Sequence, residues 1–368
     1  MKKLRLRDIA EINSLLLLKK DRILEVKYLD TSNLTNNVIE NFQHFNSEEK
    51  KLPSRAKRKV KQNTILYSMV RPNQRHFGIL KNLDFLKILV STGFCTIDVN
   101  ENIADPDFIY YFITQDFMID KMQNLAEQST TSYPSITPND IKNIEINLPN
   151  SETQKKIGKF LSDIENKIKI NNKINDNLEM YLKAIFNTII SSNSNKKRIR
   201  LIDIADLYQP NSLNAKNLDN NYPYFVFGAN GIIGKYKEYN HEENEVAVSC
   251  RGTCGLVYMS LPKSWITSNA MVVKPKNFFP YKEFIFKTLQ TKSASYLATG
   301  SVQPQLTKEN LSLYEVILPE EEKIIYFENI AKKVRLIINK NINENLKLSN
   351  LQKFLLPLLM NGQAEIDD

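Results

Sequence analysis

The chain contains one segment twice. "TTSYPSITPNDIKNIEINLP" ends near Pro149, and "TGSVQPQLTKENLSLYEVILP" repeats its pattern up to Pro319. Thr137 and Thr307 are 170 residues apart, as are Pro149 and Pro319, so the copies hold one register. The duplication reaches further back. "LRLRDIAEI" (4–12) returns as "IRLIDIADL" (199–207), "NTILYSMVRP" as "NEVAVSCRGTCGLVYM", "LVSTGFCTIDV" as "WITSNAMVVKP", and the aromatic "PDFIYYFITQD" as "YKEFIFKTLQ". The offset falls from 195 at the opening motif to 170 at the close, so the first half holds about 25 additional residues. Each half shows strand-like alternation broken by Gly, Pro and Asn turns, with one aromatic helix, which predicts an α+β globule. A chain of 368 residues is also too long for one ordinary core.

After each globule the pattern changes to a heptad. Ile157, Leu161, Ile164, Ile168, Asn171, Asn175, Leu178, Leu182, Ile185 and Ile189 alternate spacings of four and three. The 170 offset yields Phe327, Ala331, Val334, Ile338, Asn341, Asn345, Leu348, Gln352, Leu355 and Leu359. Such a seam predicts a coiled coil. Each helix would be roughly 60 Å long, and the link "NSNKKRI" reaches at most about 25 Å. An antiparallel pair meets those lengths without strain. It puts Asn171 near Asn345 and Asn175 near Asn341. These amides either set the register, as buried asparagines do, or form a solvated patch in an Asn-rich stretch. The expected organisation is two pseudo-two-fold-related α/β globules, 1–150 and 193–319. Long helices at 151–192 and 320–361 join them, and a tail occupies 362–368.

Charge narrows the partners. The net charge is +9, and "KKLPSRAKRKVKQ" (50–62) is a dense basic run. Lysine and arginine neutralise phosphates and release counterions, which points to a polyanion. No apolar run approaches a membrane span, and the N-terminus lacks a signal-peptide core, so a cytoplasmic protein with no membrane partner is expected. Cys95, Cys250 and Cys254 suggest a reducing compartment. His44, His76 and His241 do not complete a metal set with them.

With this order of motifs the chain resembles the specificity (S) subunit of type I restriction-modification systems. The resemblance rests on the paired opening motifs, the Gly-rich "VSCRGTCGLVYM", the two segments leading into the helices, and "LQKFLLPLLMNGQ". In the first half "SMVRPNQRHFGIL" departs from it, with only Gly78 where the second half has Gly252 and Gly255. The resemblance implies two target-recognition domains on an antiparallel coil that docks methylation (M) subunits. Those subunits bind S-adenosylmethionine and methylate adenine, and an endonuclease/translocase (R) subunit joins them. This chain would bind double-stranded DNA, hold no cofactor or metal of its own and carry no catalytic residue. The alternatives are a recognition subunit of a type II-like system and a coiled-coil scaffold with two protein-binding globules.

Enzyme readings find little support. "FGANGIIGK" breaks phosphate-loop spacing, and "DPDF" lacks the paired prolines of an adenine methyltransferase. "DRILEVK", with Asp21, Glu25 and Lys27, is a loose nuclease-like pattern that an amphipathic strand also explains.

Side-chain chemistry selects the candidate DNA contacts, since Arg and Lys read guanine, Asn and Gln read adenine, and basic or hydroxyl groups hold phosphates. In the first half these are Arg71, Asn73, Gln74 and Arg75, the basic residues Arg55, Lys57, Arg58 and Lys59, and Thr131, Ser132 and Tyr133. In the second they are Arg251, Thr253, Asn230, Lys235, Ser301 and Gln303. Tyr133 and Gln303 precede prolines and would equally pack a globule on its helix; "GANGIIG" would equally be a tight turn. Apolar residues outside the seam, Ile170, Ile174, Phe186, Leu346, Leu351 and Leu356, are candidates for docking partner helices. The isolated chain should therefore self-associate in light scattering, and a monodisperse monomer would count against an uncovered apolar face.

Overall fold

The motifs that open and close each half are strand partners. This holds in a computed structural model that describes residues 2–18, 21, 24–46, 49, 51–128, 133–192, 197–219, 221–300 and 303–366. Lys2–Arg5 pairs antiparallel with Glu145–Leu148, placing Leu4 opposite Ile146. Lys197–Arg200 pairs likewise with Glu315–Leu318, placing Ile199 opposite Val316. A one-turn helix with a threonine N-cap precedes each closing strand. Thr137 Oγ1 accepts the Asp140 amide at 3.3 Å, and Thr307 Oγ1 accepts the Asn310 amide at 3.2 Å. The duplicated segments are thus a clasp tying the start of each half to its end.

Inside each clasp is a four-stranded antiparallel sheet with one strand order. The first runs Ala10–Ile12, Phe94–Val99, Ile65–Ser68, Phe77–Ile79. The second runs Ala205–Tyr208, Ala270–Pro275, Val246–Ser249, Val257–Met259. A second sheet in each half contains one parallel pair, Glu25–Leu29 with Ile88–Ser91 and Tyr224–Gly228 with Trp265–Ile266. The first half adds Ala56–Lys59 to that sheet, antiparallel to Ile88–Ser91. Among the described strands of the second half it has no counterpart, and it carries the basic run.

The chain divides into two compact units, residues 1–169 with 345–368, and residues 170–344. The long helices, Ser151–Ser191 and Glu321–Met360, contribute to both. In the first unit Ile157, Leu161, Leu359 and Met360 share one core with the aromatic helix Pro106–Ile113. In the second, Leu182, Phe186, Phe327 and Ala331 share a core with helix Lys282–Thr291. Burying each of these Ile, Leu, Met and Phe side chains is worth about 1.5–3 kcal/mol, so these helix faces are core rather than accessory. No described helix is long and apolar enough to cross a membrane.

Within the second unit the two helix segments run antiparallel. Asn341 Nδ2 donates to Asn175 Oδ1 at 2.8 Å, and Arg335 Nη1 donates to Glu179 Oε1 at 3.0 Å. Asn171, expected to face an amide, donates through Nδ2 to the Glu344 carboxylate at 2.8 Å. A charged acceptor makes the stronger hydrogen bond, which suits a side chain only 1% exposed. Phe186 also differs from expectation. It is 3% exposed, with its ring 5.5 Å from both Phe284 and Phe327. The helix packs on the globule as well as on its neighbour, so a stripe wider than a two-helix seam is covered.

The two aromatic helices cap their N-termini differently. Asp105 Oδ1 accepts the Phe108 amide at 2.9 Å, and a Cβ on Gly158 would collide with that oxygen. The second copy starts at Tyr281, which makes no side-chain cap. Glu328, aligned with Gly158 by the 170 offset, accepts the Glu283 and Phe284 amides at 3.3 and 3.0 Å instead. Beside it, Arg335 donates from Nε and Nη2 to Glu283 at 3.1 and 3.0 Å, and Lys287 donates to Glu179 at 2.6 Å.

Two outcomes follow from these contacts in urea melts of the full chain. Arg335→Met leaves the buried Glu283 carboxylate without its ionic partner, while Glu179 keeps Lys287, and should cost about 3–5 kcal/mol. Gly158→Ala should destabilise by about 1 kcal/mol through loss of the Asp105 cap, although alanine is the better helix former.

Candidate nucleic-acid interface

One loop is built twice on the same hydrogen bonds. It leaves the sheet after Ser68 in the first unit and after Ser249 in the second. Ser68 Oγ donates to the Val70 carbonyl at 2.9 Å, and Ser249 Oγ to the Arg251 carbonyl at 3.1 Å. The Ser68 amide donates to His76 O and the Ser249 amide to Leu256 O, closing the loops at 2.9 and 2.8 Å. Each loop is then stitched to the segment before its clasp helix. The Ile136 amide donates to Met69 O at 2.9 Å, and the Leu306 amide to Cys250 O at 3.0 Å. Val70 bridges Ser135 as Arg251 bridges Gln305.

These bonds pair Arg71 with Gly252 and Arg75 with Gly255. All four have left-handed backbones, with φ of 47° and 57° at the arginines and 70° and 84° at the glycines. For glycine the conformation is free, whereas an L-residue pays roughly 1–2 kcal/mol. The missing glycines of the first half therefore do not signal a different turn; the turn is kept and occupied by arginine.

The structure gathers several sequence-predicted residues at the first loop. The Arg71 guanidinium lies 5.1 Å from the Tyr133 ring centroid, and the Arg71 amide donates to Pro134 O at 2.9 Å. Arg75 Nη2 donates to Asp116 Oδ1 at 2.7 Å, the Asn73 amide donates to Gln123 Oε1 at 3.2 Å, and Gln74 is exposed. In the second loop Arg251 and Thr253 are exposed, as is Gln303, and Cys254 Sγ donates to Pro304 O at 2.9 Å. Thr131, Ser132 and Ser301 lie outside the described residues.

Other candidates lie on different elements. Arg55 and Lys57 are exposed at the strand of the basic run, but the neighbouring side chains are not available as phosphate contacts. Arg58 is 9% exposed, and burial lowers its pKa; its Nη1 has no hydrogen-bond partner among the described residues. Lys59 donates to Asp21 Oδ2 at 3.0 Å. Strand alternation turns every second side chain of the run inward, which a charge count does not reveal. Asn230 is exposed at the turn between Tyr224–Gly228 and Gly231–Tyr236, and Lys235 Nζ sits 5.3 Å from the Phe225 ring centroid. The "GANGIIG" string is that hairpin turn.

The rejected enzyme strings have structural partners. Asp105 of "DPDF" is the helix cap, and Glu25 of "DRILEVK" accepts from Lys87 at 2.8 Å. Burial pushes the Cys95 and Cys250 thiols up to about 12 and about 11. Among the described residues no three His, Cys, Asp or Glu side chains are grouped to hold a metal.

Of the candidate docking residues, Ile170, Ile174 and Leu351 are exposed, Leu346 is half-buried, and Leu356 packs on the first core with Phe186 buried in the second. Sequence reasoning missed Met180, Tyr181, Tyr326, Leu336 and Phe354, all large and exposed. It also missed Ser68 and Ser249, which begin the two loops and whose signal was the alignment of "YSMVR" with "VSCRG".

The sequence matches the family described as type I restriction modification DNA specificity domain twice, over residues 1–180 and 193–354. It is 25% identical over 444 residues to the HindI specificity subunit of Haemophilus influenzae, covering 92% of this chain and 94% of that one. It is 27% identical over 148 residues to the EcoprrI specificity subunit of Escherichia coli, covering 39% of this chain and 37% of that one. The fold is similar to the crystal structure of a type I restriction-modification S subunit from M. genitalium, with a TM-score of 0.61 at 14% identity, covering 100% and 96% of the two chains. With both halves matched and both units built to one plan, the chain belongs to the type I restriction-modification specificity-subunit family.

Proposed function

We propose that this chain reads an asymmetric, two-part DNA sequence, one part with each unit, and itself performs no catalysis. The observation that carries the reading is the duplicated loop: one hydrogen-bonded frame displaying Arg71, Asn73 and Gln74 in one unit, and Arg251 and Thr253 in the other. Equal frames with unequal side chains are what two half-sites of different sequence require. Arg55 and Lys57, exposed beside the first loop's sheet, supply phosphate contacts that position without specifying. The net charge of +9 favours such contacts.

The chemistry then belongs to partners. Methylation subunits, carrying S-adenosylmethionine and methylating adenine, dock on the exposed apolar helix faces that include Ile174 and Leu336, and an endonuclease/translocase subunit completes the assembly. Asn175 with Asn341, and Asn171 with Glu344, hold the helix register that sets the docking face. Pairs of this kind stabilise one alignment because a slipped register strands a buried amide.

Methylome sequencing of cells expressing the chain with its neighbouring methylation subunit should show adenine methylation in an asymmetric bipartite motif. Exchanging residues 1–150 for those of a relative should change one half of the motif only; a change in both halves would refute the division of labour. Arg55→Ala with Lys57→Ala should weaken binding to all duplexes alike and flatten the salt dependence by about 0.9 per lost phosphate contact. Leu336→Asp should abolish co-purification of the methylation subunit while leaving the melting temperature unchanged, since this side chain is 71% exposed.

A further inference from the structure

The two arginines in left-handed backbone are not equivalent. Arg75 is paired with Asp116, an ion pair at 2.7 Å within the loop's own support. Arg71 instead turns its guanidinium onto the Tyr133 ring, and its amide donates to Pro134 O. Tyr133 is 59% exposed, so this cation–π pair stands at the solvent side of the loop. The second unit shows that glycine serves this backbone position without strain, at Gly252. A side chain placed where glycine would suffice for the backbone, and held by an aromatic face, points to a use beyond the turn.

A guanidinium held over an aromatic face is a planar fork of donors with fewer orientations open to it, so less freedom is lost when it engages a partner. Among the bases, guanine presents two acceptors in the major groove, O6 and N7, at the spacing of that fork. We infer that Arg71, oriented by Tyr133, reads a guanine in the half-site bound by the first unit. This rests on the DNA-recognition reading above. Gly252 offers no side chain at the matching position, so that position of the second unit makes no such contact.

The test is selection from a random duplex pool by the full chain assembled with its methylation subunits, compared with R71G and R71K. R71G keeps the turn, because glycine adopts φ near 47° freely, and its melting temperature should equal or exceed the wild type's. R71K keeps the charge and loses the fork. The wild type should enrich a two-part motif with an invariant G·C pair in one half. R71G should keep every other position and accept any base pair at that one, losing roughly 5- to 150-fold of discrimination there, and R71K, whose ammonium lacks the fork, should keep only part of the preference for guanine. If R71G enriches the wild-type motif unchanged, or binds all sequences more weakly with the motif intact, Arg71 is not a base reader and the inference falls while the proposed function stands. Relaxation at an A·T pair overturns it equally. If the wild type enriches no motif, the DNA-recognition reading itself has failed.

Discussion

Neither recognition core closes without the long helices. Leu161 in one unit and Phe327 in the other are fully buried among residues of the globules, and both come from the heptad seams. A helix that merely linked two finished domains would present its apolar stripe to its neighbour alone. Here Phe186 packs between a globule ring, tilted against it, and a helix ring, met edge-on, so helix and globule share one core within the unit. The ionic network around Arg335 works in the same sense. Glu283 belongs to the globule and Glu179 to the first long helix, and one guanidinium holds both. Sliding the helix would strand buried charge, which penalises alternatives more than it stabilises the native state. Each globule is thereby fixed to a helix segment within its unit.

The two units also show how duplicated backbone survives divergence of side chains. Where the chain must turn left-handed, the turn remains while Gly252 and Gly255 are exchanged for Arg71 and Arg75. Where a helix needs an N-terminal acceptor, the acceptor remains but changes chain position. Asp105 beside Gly158 in one unit becomes Tyr281 beside Glu328 in the other, each pair having one carboxylate and one residue that yields or does not need the space. The conserved quantity is the satisfied hydrogen bond, because an orphaned buried amide costs about 1–3 kcal/mol whichever residue fails to meet it. The side chains at the loop tips are not held to that requirement, and there the two units differ.

Much of this was legible in the chain itself. The repeat offset, the switch from alternation to heptads and the Thr-initiated turns before Pro149 and Pro319 are local patterns, and local patterns survive in one-dimensional form. They determined two similar α+β units, two long helices, and loops near Arg71 and Arg251 as the places to look. Tertiary structure alone decided which residues of those elements are available. Arg58 turns inward because a strand shows alternate faces to a core and to solvent, and Lys59, on the same face as Lys57, is paired with Asp21. Asn171 meets Glu344 rather than only an amide, because the partner at a helix crossing depends on packing depth. Arg71 matches Gly252 only through the bonds of Ser68 and Ser249, a correspondence that no spacing reveals since the two loops differ in length. Spacing along a chain specifies which face a residue shares; burial of that face depends on what a distant segment brings against it.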